Sequence, residues 1–265
     1  MENMEHDIYL KDYLVSRVLS FGKEIPGYGR VYYRTNEDLV DMYRDIDFEG
    51  KKVLSVLASS DQVFTSRFLG AEVVDSFDKN RLTLYYYYLR KWSIKYRNEL
   101  YPKVLRGNKW LKNLLELVKA ESEEESKALA FFKKHVEENT NFYNLFYEDH
   151  LDEDKGDTLY SKASHIKDTI DMDMKFVDFD MFGESKVEDT YDIVLVSNIL
   201  EWARGDKNKF MIAEENLSKL LNKDGLVVCS NLVNRSKSTI LSEREIFDSN
   251  FECSEFTTGY IYRKK

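Results

Sequence analysis

Between Lys52 and Asp78 the chain reads KVLSVLASSDQVFTSRFLGAEVVDSFD, and this stretch limits the fold more than any other. Val53, Leu54, Val56 and Leu57 make a near-continuous apolar run, the pattern of a parallel strand covered on both faces. Small and polar residues follow at once: Ala58, Ser59, Ser60 and Asp61. An amphipathic segment with Val63, Phe64, Phe68 and Leu69 is closed by Gly70, and a second strand, Ala71 to Phe77, delivers Asp78. Ligands of open α/β sheets bind at the carboxyl ends of the strands, and an acid about 20 residues past the first turn commonly takes ribose hydroxyls. The step from Ser60 to Asp78 fits that role. The glycines that usually accompany it are missing.

The elements around this stretch extend the same reading. Asp7 to Phe21 has helical spacing, a loop follows with Pro26, Gly27 and Gly29, and Thr35 or Asn36 caps a helix through Ile46. After Asp78, Leu82 to Tyr96 is a helix dense in aromatics, including Tyr85, Tyr86, Tyr87, Tyr88 and Trp92. Tyrosines at that spacing read first as core and groove packing, and second as a wall for a ligand. Asn108 to Lys119 is a further helix, and Ser122 with Glu125 forms a capping box that opens another. Asn141 to Tyr147 is aromatic and His150 to Asp157 is an acidic loop. Residues 97–168 therefore read as a helical insertion, suited to a lid or substrate wall.

Strand patterns resume at Met174 to Phe179, followed by Asp180, and at Tyr191 to Ser197, followed by Asn198. Lys207 to Leu221 is amphipathic, Leu226 to Ser230 is a strand, and Ser242 with Glu245 caps a short helix. Phe251 to Phe256, a turn at Gly259 and Tyr260 to Arg263 close the chain as a hairpin. A hairpin after alternating β/α units places one antiparallel strand on an otherwise parallel sheet.

Charge narrows the partners. The chain of 265 residues carries −9, which argues against general nucleic-acid binding because neutralising phosphates needs a positive surface. From Arg90 to Lys119, nine Lys or Arg stand against Glu99 and Glu116, so this window is +7 and the rest is −16. That run is either the solvated face of helices or a basic surface for an anionic substrate, nucleic acid or lipid head group; the acceptor is expected to be a small molecule or a lipid head group. No apolar run approaches 18 residues and the amino terminus has no basic-then-apolar pattern, so a soluble, cytoplasmic protein is expected. Cys229 and Cys253 fall in predicted strands and read as buried free thiols, and the four histidines are scattered with no partner at ligand spacing.

The order of elements resembles the class I S-adenosylmethionine-dependent methyltransferase fold, with its C-terminal hairpin. More narrowly, GYGRVYYRTNEDL, KKVLSVLASSDQ, GAEVVDSFDKNRLTLYYYYLRK and YDIVLVSNILEW resemble a bacterial family related to the betaine-lipid synthase type of 3-amino-3-carboxypropyl transferases. The resemblance implies an α/β fold: a Rossmann-like three-layer αβα sandwich over 51–265, with a mostly parallel seven-stranded sheet. An N-terminal helical cap over 1–50 and the 97–168 insertion complete the expected organisation. It also implies S-adenosyl-L-methionine as cofactor. Ala58, Ser59, Ser60 and Asp61 match the loop that passes the methionine moiety, and Asp78 matches the acid that takes the ribose hydroxyls, with Lys79 and Asn80 at the rim. Asp178, Phe179 and Asp180 match the region around the adenine. Ser197 and Asn198 match the end of the strand where the transferred group emerges, and Asn198 with Tyr86 are candidates for orienting the acceptor.

Each position has a plain structural role beside the functional one. Ser60 or Asp61 reads equally as a helix cap, Asp180 as a turn cap, and Asn198 as bonding its own backbone. The first loop departs from the family pattern: Ala-Ser-Ser-Asp adds a Cβ at each position, which makes positive φ costly. Two function classes follow. One is a transferase that positions and desolvates two reactants, which needs no Cys-His or Ser-His-Asp constellation. The other is a non-catalytic binding protein on the same scaffold, meeting a partner through the basic helical insertion. A nicotinamide-linked oxidoreductase lacks its G-x-G-x-x-G, and a hydrolase lacks its G-x-S-x-G elbow.

Overall fold

The computed structural model describes residues 31–35, 39–103, 108–139, 145, 166–171, 174–185, 187–203, 206–230, 250–256 and 259–265. The helix expected over Asp7–Phe21, the glycine-containing loop after it, the acidic loop at 150–157 and the cap at Ser242 lie outside them. Two compact units are present. One takes in the described residues of 1–35, Ala58–Asp61 and Lys79–Asp171; the other takes in those of Asn36–Leu57, Gln62–Asp78 and Met172–Lys265.

The second unit is built on a sheet. Its strands are β1 (Lys52–Val56), β2 (Val73–Phe77), β3 (Tyr191–Ser197), β4 (Leu221–Ser230), β5 (Phe251–Phe256) and β6 (Gly259–Lys264), in the order β2-β1-β3-β4-β6-β5. The first four pair in parallel: Leu54 stands opposite Asp75 on one side and Val194 on the other, and Val194 stands opposite Val227. β6 runs antiparallel to β4, with Val228 opposite Ile261, and the β5–β6 hairpin closes the edge at Phe256 opposite Gly259. Leu54, Val194, Val196, Val227 and Val228 have essentially no exposed surface. Strands so thoroughly covered need the unbroken apolar runs seen in the sequence.

The sheet has six strands among the described residues, where seven were expected. The seventh, Met174–Phe179, is reduced to a single parallel bridge between Phe176 and Ser76. Ser76 N–H donates to the Lys175 carbonyl and Val177 N–H donates to the Ser76 carbonyl, and the ladder stops there. Asp180 explains the ending. Its carboxylate accepts from Phe182 N–H and turns the chain, while Asn216 Nδ2 donates to the carbonyls of Met181 and Gly183 at 3.1 and 2.9 Å. Phe179 N–H is already bonded to the Val177 carbonyl just before this turn, so it is not available to extend the strand.

In the same unit α1 (Leu39–Tyr43) precedes β1 and α2 (Asp61–Phe68) links β1 to β2. The other unit is helical, with α3 (Leu82–Arg97), α4 (Asn108–Leu115) and α5 (Glu123–Glu137). The last helix of the sheet unit, α6 (Lys207–Leu220), is capped by the Asp206 carboxylate, which accepts from Lys209 N–H. The tyrosine run lies on α3 and is core: Tyr86 and Tyr87 are buried, Tyr88 stacks on Trp92, and Trp92 meets Phe132 edge-on at 6.3 Å. Asn98 ends α3 in the left-handed conformation at φ 54, with its N–H on the Ile94 carbonyl and Glu99 N–H on the Ser93 carbonyl. The Asn98 bond to Ile94 is the five-to-one closure of an αL stop, a conformation that asparagine enters more readily than most non-glycine residues.

Candidate functional site

The chain reverses direction across the sheet at β1. From β1 it moves outward to β2, then returns to place β3 on the other side of β1. This is a topological switch point, and crevices outside the carboxyl ends of such strands are where open α/β sheets take ligands. In the sheet unit those ends carry Leu57, whose N–H donates to the Phe77 carbonyl, then Asp78 after β2, and Ser197 with Asn198 after β3. Asp78 is part-exposed, as are Ser197 and Asn198. The Ser197 hydroxyl donates to Asn198 Oδ1 at 3.4 Å.

Asp178, Phe179 and Asp180 follow the single bridge. Asp178 is exposed, whereas Phe179 is buried and packs edge-on against Phe77 at 4.9 Å. Asp180 is the turn cap described above. A Cβ at Gly183 would stand 2.8 Å from Asp180 Oδ2, so a larger residue there would displace that carboxylate.

Ala58 to Asp61 belong to the helical unit, together with Lys79, Asn80 and Tyr86. Ala58 is part-exposed, while Ser59, Ser60 and Asp61 are buried. Asp61 is the first residue of α2, and its carboxylate is bonded by residues outside that helix. Oδ1 accepts from Tyr101 Oη at 2.8 Å and lies 3.1 Å from an Arg90 guanidinium nitrogen; Oδ2 accepts from Thr35 N–H and from Ser59 Oγ, both at 2.7 Å. Three hydrogen-bond donors and the Arg90 ion pair compensate the burial of the charge. Arg90, likewise without exposed surface, also donates to the Ser59 carbonyl and to the Leu100 carbonyl. The Tyr101 ring lies between two guanidiniums, Arg34 at 4.3 Å and Arg90 at 4.4 Å. Tyr86 is wholly buried and its hydroxyl donates to the Tyr33 carbonyl at 2.7 Å, while Tyr33 Oη donates to the Pro102 carbonyl. Burial pushes the Tyr86 and Tyr101 phenols well above the usual range, partly opposed by Arg90 and, for Tyr101, reinforced by Asp61. Asn80 accepts from Leu82 N–H at the start of α3, and Lys79 is exposed.

Backbone geometry singles out the same loops. Among the described residues six non-glycines have positive φ: Ala58 (39°), Ser60 (69°), Asn98, Asn139, Ser197 (52°) and Asp224. Asn and Asp enter this region readily because their side chains bond locally. The remaining three, Ala58, Ser60 and Ser197, all lie where the chain leaves β1 or ends β3. The departure from a glycine-rich first loop is therefore a departure in residue type and not in turn: Ala58 and Ser60 adopt the conformation glycine would supply.

The basic run looks different in three dimensions. Arg90 is paired with Asp61, Lys91 bonds Glu125 at 2.8 Å with both buried, Lys95 bonds Glu121 and Asp171, and Lys103 bonds Glu99. Hydrogen bonds to Asp171 and Glu121 push the Lys95 ammonium up. Part of the window's charge is thus spent inside its own unit. Arg97, Lys109, Lys112 and Lys119 are exposed. Sequence spacing did not single out Arg90, Tyr101 or Thr35 as site residues. The available signal was Arg90 one turn past Tyr86, on the buried face of an aromatic helix.

No group of three or more His, Cys, Asp or Glu is placed to hold a metal ion among the described residues, and no helix among them is long and apolar enough to cross a membrane. No family model matches the chain, and no curated protein matches it. Among solved structures it is similar to a TehB-like SAM-dependent methyltransferase from Corynebacterium glutamicum, at 11% identity and TM-score 0.44 over 87% of this chain and 90% of that one. It is also similar to a methyltransferase from Pyrococcus furiosus, at 10% identity and TM-score 0.40 over 100% of this chain and 99% of that one. A third is the N-methyltransferase NodS from Bradyrhizobium japonicum, at 9% identity and TM-score 0.38 over 84% and 92%.

Proposed function

We propose that the chain is an S-adenosyl-L-methionine-dependent transferase, moving a methyl or a 3-amino-3-carboxypropyl group to a small-molecule or lipid head-group acceptor. One observation carries the reading: the positive-φ residues that are neither Asn nor Asp fall in the segments leaving the two switch-point strands. Each such residue costs on the order of 1–3 kcal/mol, and strain of this kind gathers where a ligand-facing backbone must take one shape.

In this reading Asp78 takes the ribose hydroxyls, its part-exposed carboxylate standing just past β2. The backbone at Ala58, the part-exposed member of the first loop, passes the methionine moiety, and the remainder of Ser59–Asp61 fixes its path. Phe179 offers its place beside Phe77 to the adenine, with Asp178 and Asp180 next to it. Ser197 and Asn198 meet the group to be transferred, and the Asn198 amide orients the acceptor. Tyr86, expected to help orient the acceptor, is wholly buried with its hydroxyl on the Tyr33 carbonyl, so this reading leaves that task to Asn198. The cofactor's sulfonium makes the transferred carbon electrophilic when bound. The chain's own share is to hold, orient and dry the reactants, and such positioning is worth roughly 7–11 kcal/mol of barrier in favourable cases.

Calorimetric titration of the full chain with S-adenosylmethionine and S-adenosylhomocysteine tests this. Saturable heat with both, lost on Asp78→Ala, is expected; no heat at millimolar ligand with folded protein sinks it. The burial of Ser59, Ser60 and Asp61 favours a second reading, a binding protein that keeps the scaffold without catalysis. Cofactor binding with no transfer to any amine or head-group acceptor would select it.

A further inference from the structure

Ala58 and Ser60 hold positive φ although neither is glycine, and nothing intrinsic to either residue favours that state. Something outside the loop must impose it. Within the helical unit, side chains of Arg90 and Tyr101 converge on Ser59 and Asp61, the residues flanking Ser60. The Arg90 guanidinium donates to the Ser59 carbonyl, and a second nitrogen stands 3.1 Å from Asp61 Oδ1 as an ion pair. Asp61 in turn takes the Ser59 hydroxyl and the Thr35 N–H, so residues 59 and 61 are clamped on either side of Ser60. Tyr101 closes the cluster, with its hydroxyl on Asp61 and its ring against the Arg90 guanidinium. Both charges of the pair are wholly buried, so this is no surface ion pair whose geometry water would loosen.

Resting on the transferase reading above, we propose that Arg90 and Asp61 are positioning residues: a buried pair that imposes on a glycine-free loop the turn that glycines would otherwise allow. Arg suits the task better than Lys, because its planar fork grips a carbonyl and a carboxylate at once. The pair touches no reacting atom. Its effect on the ligand runs through the backbone at Ala58.

The test uses the full chain and compares the parent with Asp61→Asn/Arg90→Met, which removes both charges so that neither is stranded in the interior. A third protein adds Ala58→Gly and Ser60→Gly to that pair. With S-adenosylhomocysteine as probe, the double variant is expected to bind at least about tenfold more weakly while still melting cooperatively, and the two glycines are expected to restore most of the loss. A merely structural role predicts no rescue by glycine. Unchanged affinity in the double variant, or glycines that restore nothing, overturns the proposal. Without ligand, amide exchange at Ser59–Gln62 is expected to quicken about tenfold in the double variant while β4 keeps its protection, and unchanged exchange also overturns it. Should the double variant fail to melt cooperatively, Arg90→Lys carries the same exchange test: parent-like exchange overturns the proposal and faster exchange supports it. A parent that gives no heat at millimolar probe sinks the transferase reading, and exchange then still decides the role of the pair.

Discussion

At the scale of single residues, Tyr191 and Asp75 are a matched polar set of the interior. Tyr191, buried on β3, donates to Asp75 Oδ2 at 3.0 Å, and Asp75 also accepts from Lys175 N–H. Burial first, and the Asp75 charge second, hold the Tyr191 phenol well above its ordinary range. Tyr191→Phe keeps the ring and removes one donor from a buried carboxylate, so it should cost about 1–3 kcal/mol. Urea unfolding measures this, and a loss below about 0.5 kcal/mol, the size of an ordinary surface substitution, would show that the bond is not part of the core's balance. The same logic explains what was legible at Asp61. Its position just after a strand and ahead of a helix offered a cap or a ligand. The third outcome, a carboxylate saturated by Arg90, Tyr101, Thr35 and Ser59, depends on residues up to 40 positions away.

Among the elements, α5 shows a local signal and a tertiary one sharing a residue. Ser122 Oγ accepts from Glu125 N–H at 3.1 Å, and Glu125 Oε2 accepts from Glu121 N–H, one position earlier than in the usual capping box. The other Glu125 oxygen bonds Lys91 of α3 at 2.8 Å. Ser122→Ala should therefore cost about 1 kcal/mol, the ordinary loss of a cap. Glu125→Gln keeps the capping geometry but strands the Lys91 ammonium. It should cost about 3 kcal/mol, the lower end for a broken buried pair, because Glu121 stands 4.0 Å from the same nitrogen. Thermal melting of both variants checks the ranking, and equal losses would contradict the buried pair. The cap was readable from S-x-x-E spacing; the partner of Glu125 was not, because it needs α3 and α5 to be side by side.

For the whole molecule, the buried phenols set an alkaline limit. Tyr86 and Tyr101 have folded pKa values well above the unfolded one, and burial pushes Tyr88 up to about 12. A group raised in this way contributes stability that is fully present below the unfolded pKa, about 10 for tyrosine, and is lost as pH rises through the folded value. Melting temperature should fall from about pH 10 upward, with proton release on unfolding. Tyr86→Phe should lower that release by about one proton per chain, and an unchanged alkaline slope in this variant would contradict the assignment.

The chain by itself determined the strands of the parallel sheet, the closing hairpin, the helices of 82–137 and the place of Asp78, because runs of apolar residues and caps act over a few positions. Only tertiary structure decided that Met174–Phe179 contributes one bridge, since the turn at Asp180 is tied by Asn216, 36 positions on. Only tertiary structure decided, too, that the basic run is partly spent on internal acids. The same holds for the loop at Ala58–Asp61. Its residue types argue against positive φ, and a buried Arg90 reaching back 31 positions accompanies it. Local preferences amount to about a kilocalorie per residue, whereas removing one partner of a buried pair costs about 3–5 kcal/mol.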